Sequence, residues 1–167
     1  MKVFGMAGWS GSGKTTLLTR LLPELIGRGY RVSTIKHTHH NVEVDKPGKD
    51  SYAHRKAGAT EVMVGSPQRW ALMHENLDNP EASLDEMIER MTPVDLLLVE
   101  GFKKYPLDKL EIYRRGNDKP LISPDDPRIV AIATDTALPE LDVPTFDIND
   151  ISAIADFILA HCGLKKD

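Results

Sequence analysis

The chain has 167 residues, with 21 Lys and Arg against 25 Asp and Glu, a formal net charge of -4 and one cysteine. That length suits a single domain, residues 1–167, with a substantial core. The acidic balance excludes the clustered basic footprint of a general nucleic-acid binder, and a lone Cys162 excludes an internal disulfide and fits a reducing compartment.

Lys2 to Ala7 is mostly apolar and alternates poorly, which predicts a central parallel strand buried on both faces. No long apolar leader precedes it and no stretch reaches membrane-spanning length, so a cytoplasmic protein that does not enter the membrane is expected. The strand runs directly into Gly8-Trp9-Ser10-Gly11-Ser12-Gly13-Lys14-Thr15, which reads G-x-x-x-x-G-K-[ST]. Glycines let the backbone turn so that successive N–H groups face phosphate oxygens, where side chains would block the approach. Gly11 and Gly13 meet that need. Lys14 is spaced to reach the β- and γ-phosphates, Thr15 to ligate Mg²⁺ and Thr16 to contact the α-phosphate, and the dipole of the following helix adds to the attraction. The expected ligand is a nucleoside triphosphate; the competing explanation is a Gly/Ser-rich turn that matches by accident.

From Thr15 onward Leu17, Leu18, Leu21, Leu22, Leu25 and Ile26 follow the helical period, with Gly27 and Gly29 as stop signals and Pro23 as a potential kink. Arg31 to Lys36 predicts a second strand, joined to the first by a right-handed parallel crossover. His37 to Asp50 is polar, contains Pro47 and Gly48, and reads as a mobile loop at that strand's carboxyl end. A short helix through Tyr52 to Lys56 ends at Gly58. Glu61 to Gly65 and Arg69 to His74 then form a hairpin around Ser66-Pro67-Gln68. Ser83-Leu84-Asp85-Glu86 matches a capping box that opens a helix with Leu84, Met87, Ile88 and Met91 on one face, closed by Pro93. Val94 to Val99 is the most continuous apolar run and predicts a central strand. Leu110 to Tyr113, Ile129 to Ala133 and Val143 to Phe146 are further strands, and Asn149 or Asp150 caps a final helix that Gly163 stops.

A phosphate loop needs an acid at the end of a neighbouring strand to hold Mg²⁺ or orient its water. Asp95 and Glu100 both lie on the apolar run, and five strand steps of about 3.3 Å separate them by roughly 16 Å, so only one can stand at the phosphate edge. Ligands gather at the carboxyl ends of parallel strands, which selects Glu100. Asp50 is a candidate switch acid that reaches Mg²⁺ when its loop closes, with N-capping of the helix starting at Ser51 as the competing role. His37, His39 and His40 cluster at the second strand's carboxyl end, as metal ligands, as anion or substrate contacts, or as a plain polar loop. Asp135 follows the strand Ile129 to Ala133, where guanine-specific phosphate-loop proteins place a base-reading carboxylate; an ordinary strand-to-loop Asp competes with that reading.

GWSGSGKTTL after the first strand, IKHTHH after the second, DSYAHRKAGA at Asp50 to Ala59 and LLLVEGFK at Leu96 to Lys103 together resemble the molybdopterin-guanine dinucleotide biosynthesis protein B family. The matches cover about the first two-thirds of the chain in order, and after Lys119 the likeness lies mainly in the ATD-type strand end. The resemblance implies an α/β, three-layer P-loop NTPase fold with a mostly parallel sheet, an added β-hairpin and a homodimer. It implies a GTP-binding protein with weak, Mg²⁺-dependent GTPase activity that assists molybdopterin guanylyltransferase, the enzyme that attaches GMP to molybdopterin, itself a candidate contact of the histidines. Carried over residue by residue, the nucleotide contacts fall on Gly11, Ser12, Gly13, Lys14, Thr15 and Thr16, with Asp135 toward guanine. Metal contacts fall on Thr15, Glu100 and Asp50, and the catalytic set is Lys14, Glu100 and Asp50. Two rival classes share the loop. A small-molecule kinase closes an Arg-bearing lid, whereas the paired arginines here, Arg114 and Arg115, lie on a strand end. A non-catalytic adaptor holds the nucleotide as a structural ligand.

Overall fold

A computed structural model describes residues 1–38, 42–102, 105–139 and 141–164. In chain order the elements are β1 (Lys2–Ala7), α1 (Lys14–Gly27), β2 (Val32–Lys36), α2 (Asp50–Lys56), β3 (Glu61–Gly65), β4 (Trp70–His74), α3 (Leu84–Glu89), β5 (Leu96–Glu100), β6 (Lys109–Tyr113), β7 (Ile129–Thr134), β8 (Thr145–Asp147) and α4 (Ile151–His161), with a 3-10 turn at Arg115–Asn117. The chain divides into two compact units, Met1–His37 with Thr92–Asp167, and Thr38–Met91.

The first unit is built on a six-stranded sheet in the order β2-β5-β1-β6-β7-β8, parallel at every pairing. All five residues of β5 are buried, which is why its sequence is continuously apolar up to Glu100. Helices α1 and α4 cover one face and share a core with the sheet that includes Phe4, Met6, Leu21, Leu98, Ile154 and Ile158. Each such side chain contributes about 1.5 to 3 kcal/mol on burial. On the other face Ala7, Ile129 and Ile132 are packed by Leu121, Ile122 and Leu138, which come from loops.

Helix α1 runs through Pro23 without a break. A proline inside a helix costs about 3 kcal/mol, and burial of Leu17, Leu21 and Leu25 on the same helix offsets it. The expected strand from Val94 starts instead at Leu96, because Asp95 is used otherwise: its Oδ2 accepts from the Arg31 amide at 2.7 Å, and its own carbonyl accepts from Lys2 at 3.0 Å. The last strand likewise begins at Thr145 rather than Val143, whose side chain packs into the loop-covered core. Of the two candidate caps for α4, Asp150 is the one that accepts from the Ala153 amide, at 3.0 Å, while Asn149 receives the Arg20 guanidinium.

In the second unit, β3 and β4 form an antiparallel hairpin, a sheet of their own, closed by Ser66 donating its amide to the Arg69 carbonyl at 2.8 Å. The capping box at Ser83 and Glu86 is present in both directions, so the first turn of α3 is satisfied locally. Residues 42–49 form neither helix nor strand, yet Asp45 is tied down by a nearly buried ion pair with Arg55 at 2.7 Å, and that guanidinium holds the Asp45 carboxyl below its usual range.

Candidate nucleotide-binding site

The loop from Gly8 to Gly13 leaves the carboxyl end of the central strand β1 and enters α1, so it lies at the positive end of that helix's dipole, which attracts anions. Gly13 caps the helix in the left-handed region, φ 90°, which a side chain would strain. At Gly8 a Cβ would lie 2.6 Å from Ser12 Oγ and 2.7 Å from the Ile112 carbonyl, so only glycine fits there. The Lys14 ammonium folds back over this loop and donates to the Gly8 and Trp9 carbonyls, both at 2.9 Å. Thr15 and Thr16 are exposed on the first turn of α1.

Ser12 Oγ is buried in the floor of the loop and has no hydrogen-bond partner among the described residues. An orphaned buried hydroxyl costs about 1 to 3 kcal/mol. The positive-φ glycines and the lysine folded over them fit a phosphate chain.

Glu100 ends β5, 9 % exposed, its Cα in register with Met6 of β1 and Lys36 of β2. It therefore stands at the edge where β1 turns into the phosphate loop, whereas Asp95 lies at the opposite end of the sheet, paired with Arg31. The His37 amide donates to the Glu100 carbonyl at 2.8 Å, and the His37 ring packs on Phe102, centroids 4.4 Å apart. His39 and His40 lie outside the described residues, and no group of three His, Cys, Asp or Glu side chains among the described residues is arranged to hold a metal. A magnesium site on a phosphate loop does not need one, since Mg²⁺ takes one or two protein ligands and fills its octahedron with water and phosphate oxygens. Asp50 belongs to the second unit and is the first residue of α2. The helix begins one residue earlier than Ser51, so Asp50 is not its N-cap; Lys49 occupies that position, and the Asp50 charge lies in the first turn, where the dipole favours it.

Asp135, at the carboxyl end of β7, lines a cleft of about 370 Å³ with Thr136, Leu138, Phe146, Asp147 and Asn149. Its carboxylate accepts from the Arg115 amide at 3.3 Å and faces the Arg114 guanidinium at 3.5 Å. The structure thus brings Gly11 to Thr16, Glu100 and Asp135 to the carboxyl edge of one sheet.

What sequence reasoning missed is the segment after β6. Asn117 Nδ2 donates to the Ser10 carbonyl at 3.1 Å and Trp9 Nε1 to the Pro120 carbonyl at 2.8 Å, so this segment lies against the phosphate loop. Fully buried Glu111 anchors it by accepting from the Ile122 and Ser123 amides at 2.7 and 2.9 Å. The signal existed: Arg114 follows a parallel strand at its carboxyl end, the same rule that selected Glu100.

A family model described as "Molybdopterin guanine dinucleotide synthesis protein B" matches residues 3–135. Two relatives called "Molybdopterin-guanine dinucleotide biosynthesis adapter protein" are each 48% identical: the Escherichia coli protein over 160 residues, 94% of this chain and 91% of that one, and the Haemophilus influenzae protein over 158 residues, 93% and 86%. Among solved structures, a molybdopterin-guanine biosynthesis protein B aligns with TM-score 0.76 and 28% identity over 95% of this chain and 99% of that one. The Bacillus subtilis MobB structure aligns with TM-score 0.76 and 25% identity over the whole of both chains.

Proposed function

Because the chain belongs to the molybdopterin guanine dinucleotide synthesis protein B family, we propose that it is an adapter in molybdopterin guanine dinucleotide biosynthesis that binds GTP with Mg²⁺, hydrolyses it weakly, and serves the cytoplasmic guanylyltransferase that attaches GMP to molybdopterin. The observation that carries the nucleotide part is the geometry of the phosphate loop, with Lys14 folded back over a turn built on positive-φ glycines at the start of α1. Thr15 and Glu100 are the residues that would hold Mg²⁺ or its water; the ion would neutralise charge on the phosphates. Titration with GTP and ATP, with and without Mg²⁺, tests this reading: micromolar or tighter binding of GTP that Mg²⁺ strengthens supports it, and no triphosphate binding sinks it. The kinase alternative requires a phosphorylated small-molecule product, which mass spectrometry of the turnover mixture would detect.

The cleft beside Asp135 supports a guanine subsite, since a carboxylate accepts from both N1–H and the N2 amine of guanine, whereas adenine offers neither donor. Asp135→Asn is expected to weaken GTP by about five- to a hundredfold, the range for an unsatisfied buried polar group, and to move preference toward XTP, whose C2 oxygen can accept from the new amide. Equal binding of both nucleotides by mutant and parent would leave Asp135 as a loop residue.

A homodimer through the hairpin completes the proposal. Met63 and Leu72 oppose each other on one face, with Trp70 beside them, at 64%, 41% and 66% exposure, and an isolated two-stranded ribbon is marginal in water. A second copy that covers this face buries the patch and the ribbon edge together. The double variant Met63→Lys with Trp70→Lys is expected to halve the mass measured by light scattering at micromolar concentration; a monomeric parent would refute the dimer.

A further inference from the structure

Arg114 follows the last residue of β6 and lays its guanidinium against the helix-capping end of the phosphate loop: a Cβ on Gly13 would sit 3.0 Å from its Nε and 3.4 Å from its Nη2. The segment that carries it is fixed from both sides, by Glu111 holding the Ile122 and Ser123 amides and by Asn117 and Pro120 bonding to the phosphate loop itself. A cation so placed stands at the positive end of the α1 dipole, where an anion is favoured. The protein supplies a poor one, since Asp135 reaches Arg114 at 3.5 Å and both side chains are about one-third exposed.

We infer that Arg114 is a nucleotide-binding residue, a cation built into the chain that takes the α- and β-phosphates of a nucleoside di- or triphosphate. The inference rests on the nucleotide reading above. Its placement along the phosphate chain follows from strand order. β1 is flanked by β5, which carries Glu100, and by β6, which carries Arg114, and beyond β6 the cleft opens at the ends of β7 and β8. A nucleotide with its γ-phosphate on the β5 side and its base in that cleft would cross the end of β6 at the α- and β-phosphates. A planar guanidinium suits two neighbouring phosphate oxygens better than an ammonium does. When the diphosphate binds, it replaces Asp135 as the partner of Arg114, and the Asp135 carboxylate is released toward the cleft where the base lies.

The test compares the parent with Arg114→Ala, Arg114→Lys and Lys14→Ala, each titrated with GTP and GDP at low and high ionic strength, with thermal melting to confirm the fold. Arg114→Ala is expected to weaken GTP and GDP by the same factor, about tenfold, with a flatter salt dependence, and Arg114→Lys to recover part of both. A purely structural Arg114 would leave the salt dependence unchanged and gain nothing from the lysine. If Arg114→Ala binds both nucleotides as the parent does while Lys14→Ala loses them, the inference is overturned and the nucleotide reading stands. Loss confined to GTP overturns it too, by placing the contact on the γ-phosphate. A parent that binds neither nucleotide overturns the nucleotide reading and this inference with it.

Discussion

Lys14→Ala is expected to lower GTP affinity by about a hundredfold or more while the protein stays folded. The ammonium is drawn across the loop by the Gly8 and Trp9 carbonyls, so it is already oriented before any ligand arrives. A hydrogen bond to a charged group is worth about 1.5 to 3 kcal/mol, and contacts to two phosphates together give about 3 to 5 kcal/mol. The structural cost is smaller. The Trp9 carbonyl still accepts from the Ser12 amide at 3.1 Å and the Gly8 carbonyl loses one donor, an effect of about 1 kcal/mol, or roughly 2 to 4 °C in melting temperature for a chain of this size. Calorimetric titration alongside thermal melting separates the two effects. GTP binding unchanged in the mutant would remove the basis of the nucleotide reading.

The second large effect is expected at Glu100. Glu100→Gln should keep GTP binding in the absence of metal within a fewfold of the parent. It should abolish the Mg²⁺-dependent gain in affinity, and lower any Mg²⁺-dependent hydrolysis by about a hundredfold or more. The amide keeps the shape of a side chain that is only 9 % exposed, so the packing at the end of β5 survives. What it loses is the negative charge that draws Mg²⁺ or its water. Asp95→Asn serves as the contrast. It lies at the other end of the sheet, where its carboxylate ties Arg31 to the start of β5, so it should cost about 1 kcal/mol of stability and leave the metal response intact. A larger metal effect from Asp95→Asn than from Glu100→Gln would overturn the assignment.

The two acids also show how far strand arithmetic carries. Their separation along an apolar run, and the rule that ligands gather at the carboxyl ends of parallel strands, needed only local spacing and a direction for β5, and the register of Glu100 with Met6 and Lys36 has that direction. Element boundaries were less legible, because they turn on where a side chain spends its hydrogen bonds. Asp95 left the strand to serve Arg31, and Lys49 rather than Asp50 came to cap α2.

The phosphate loop, the alternation of strands and helices, the hairpin, the capping box at Ser83 and the family were legible in the chain's residues, because each is written within a few positions and acts through local backbone geometry or periodic burial. Tertiary structure alone decided that β1 lies between β5 and β6, that the segment after β6 closes on the phosphate loop through Asn117 and Pro120, and that Arg114 stands against Gly13 and Asp135. Those neighbours are about 20 to 110 positions apart in the chain. Contacts at such separations carry no periodic signature, since they arise only when burial of the two sheet faces sets the strand order and brings distant strand ends to a common edge.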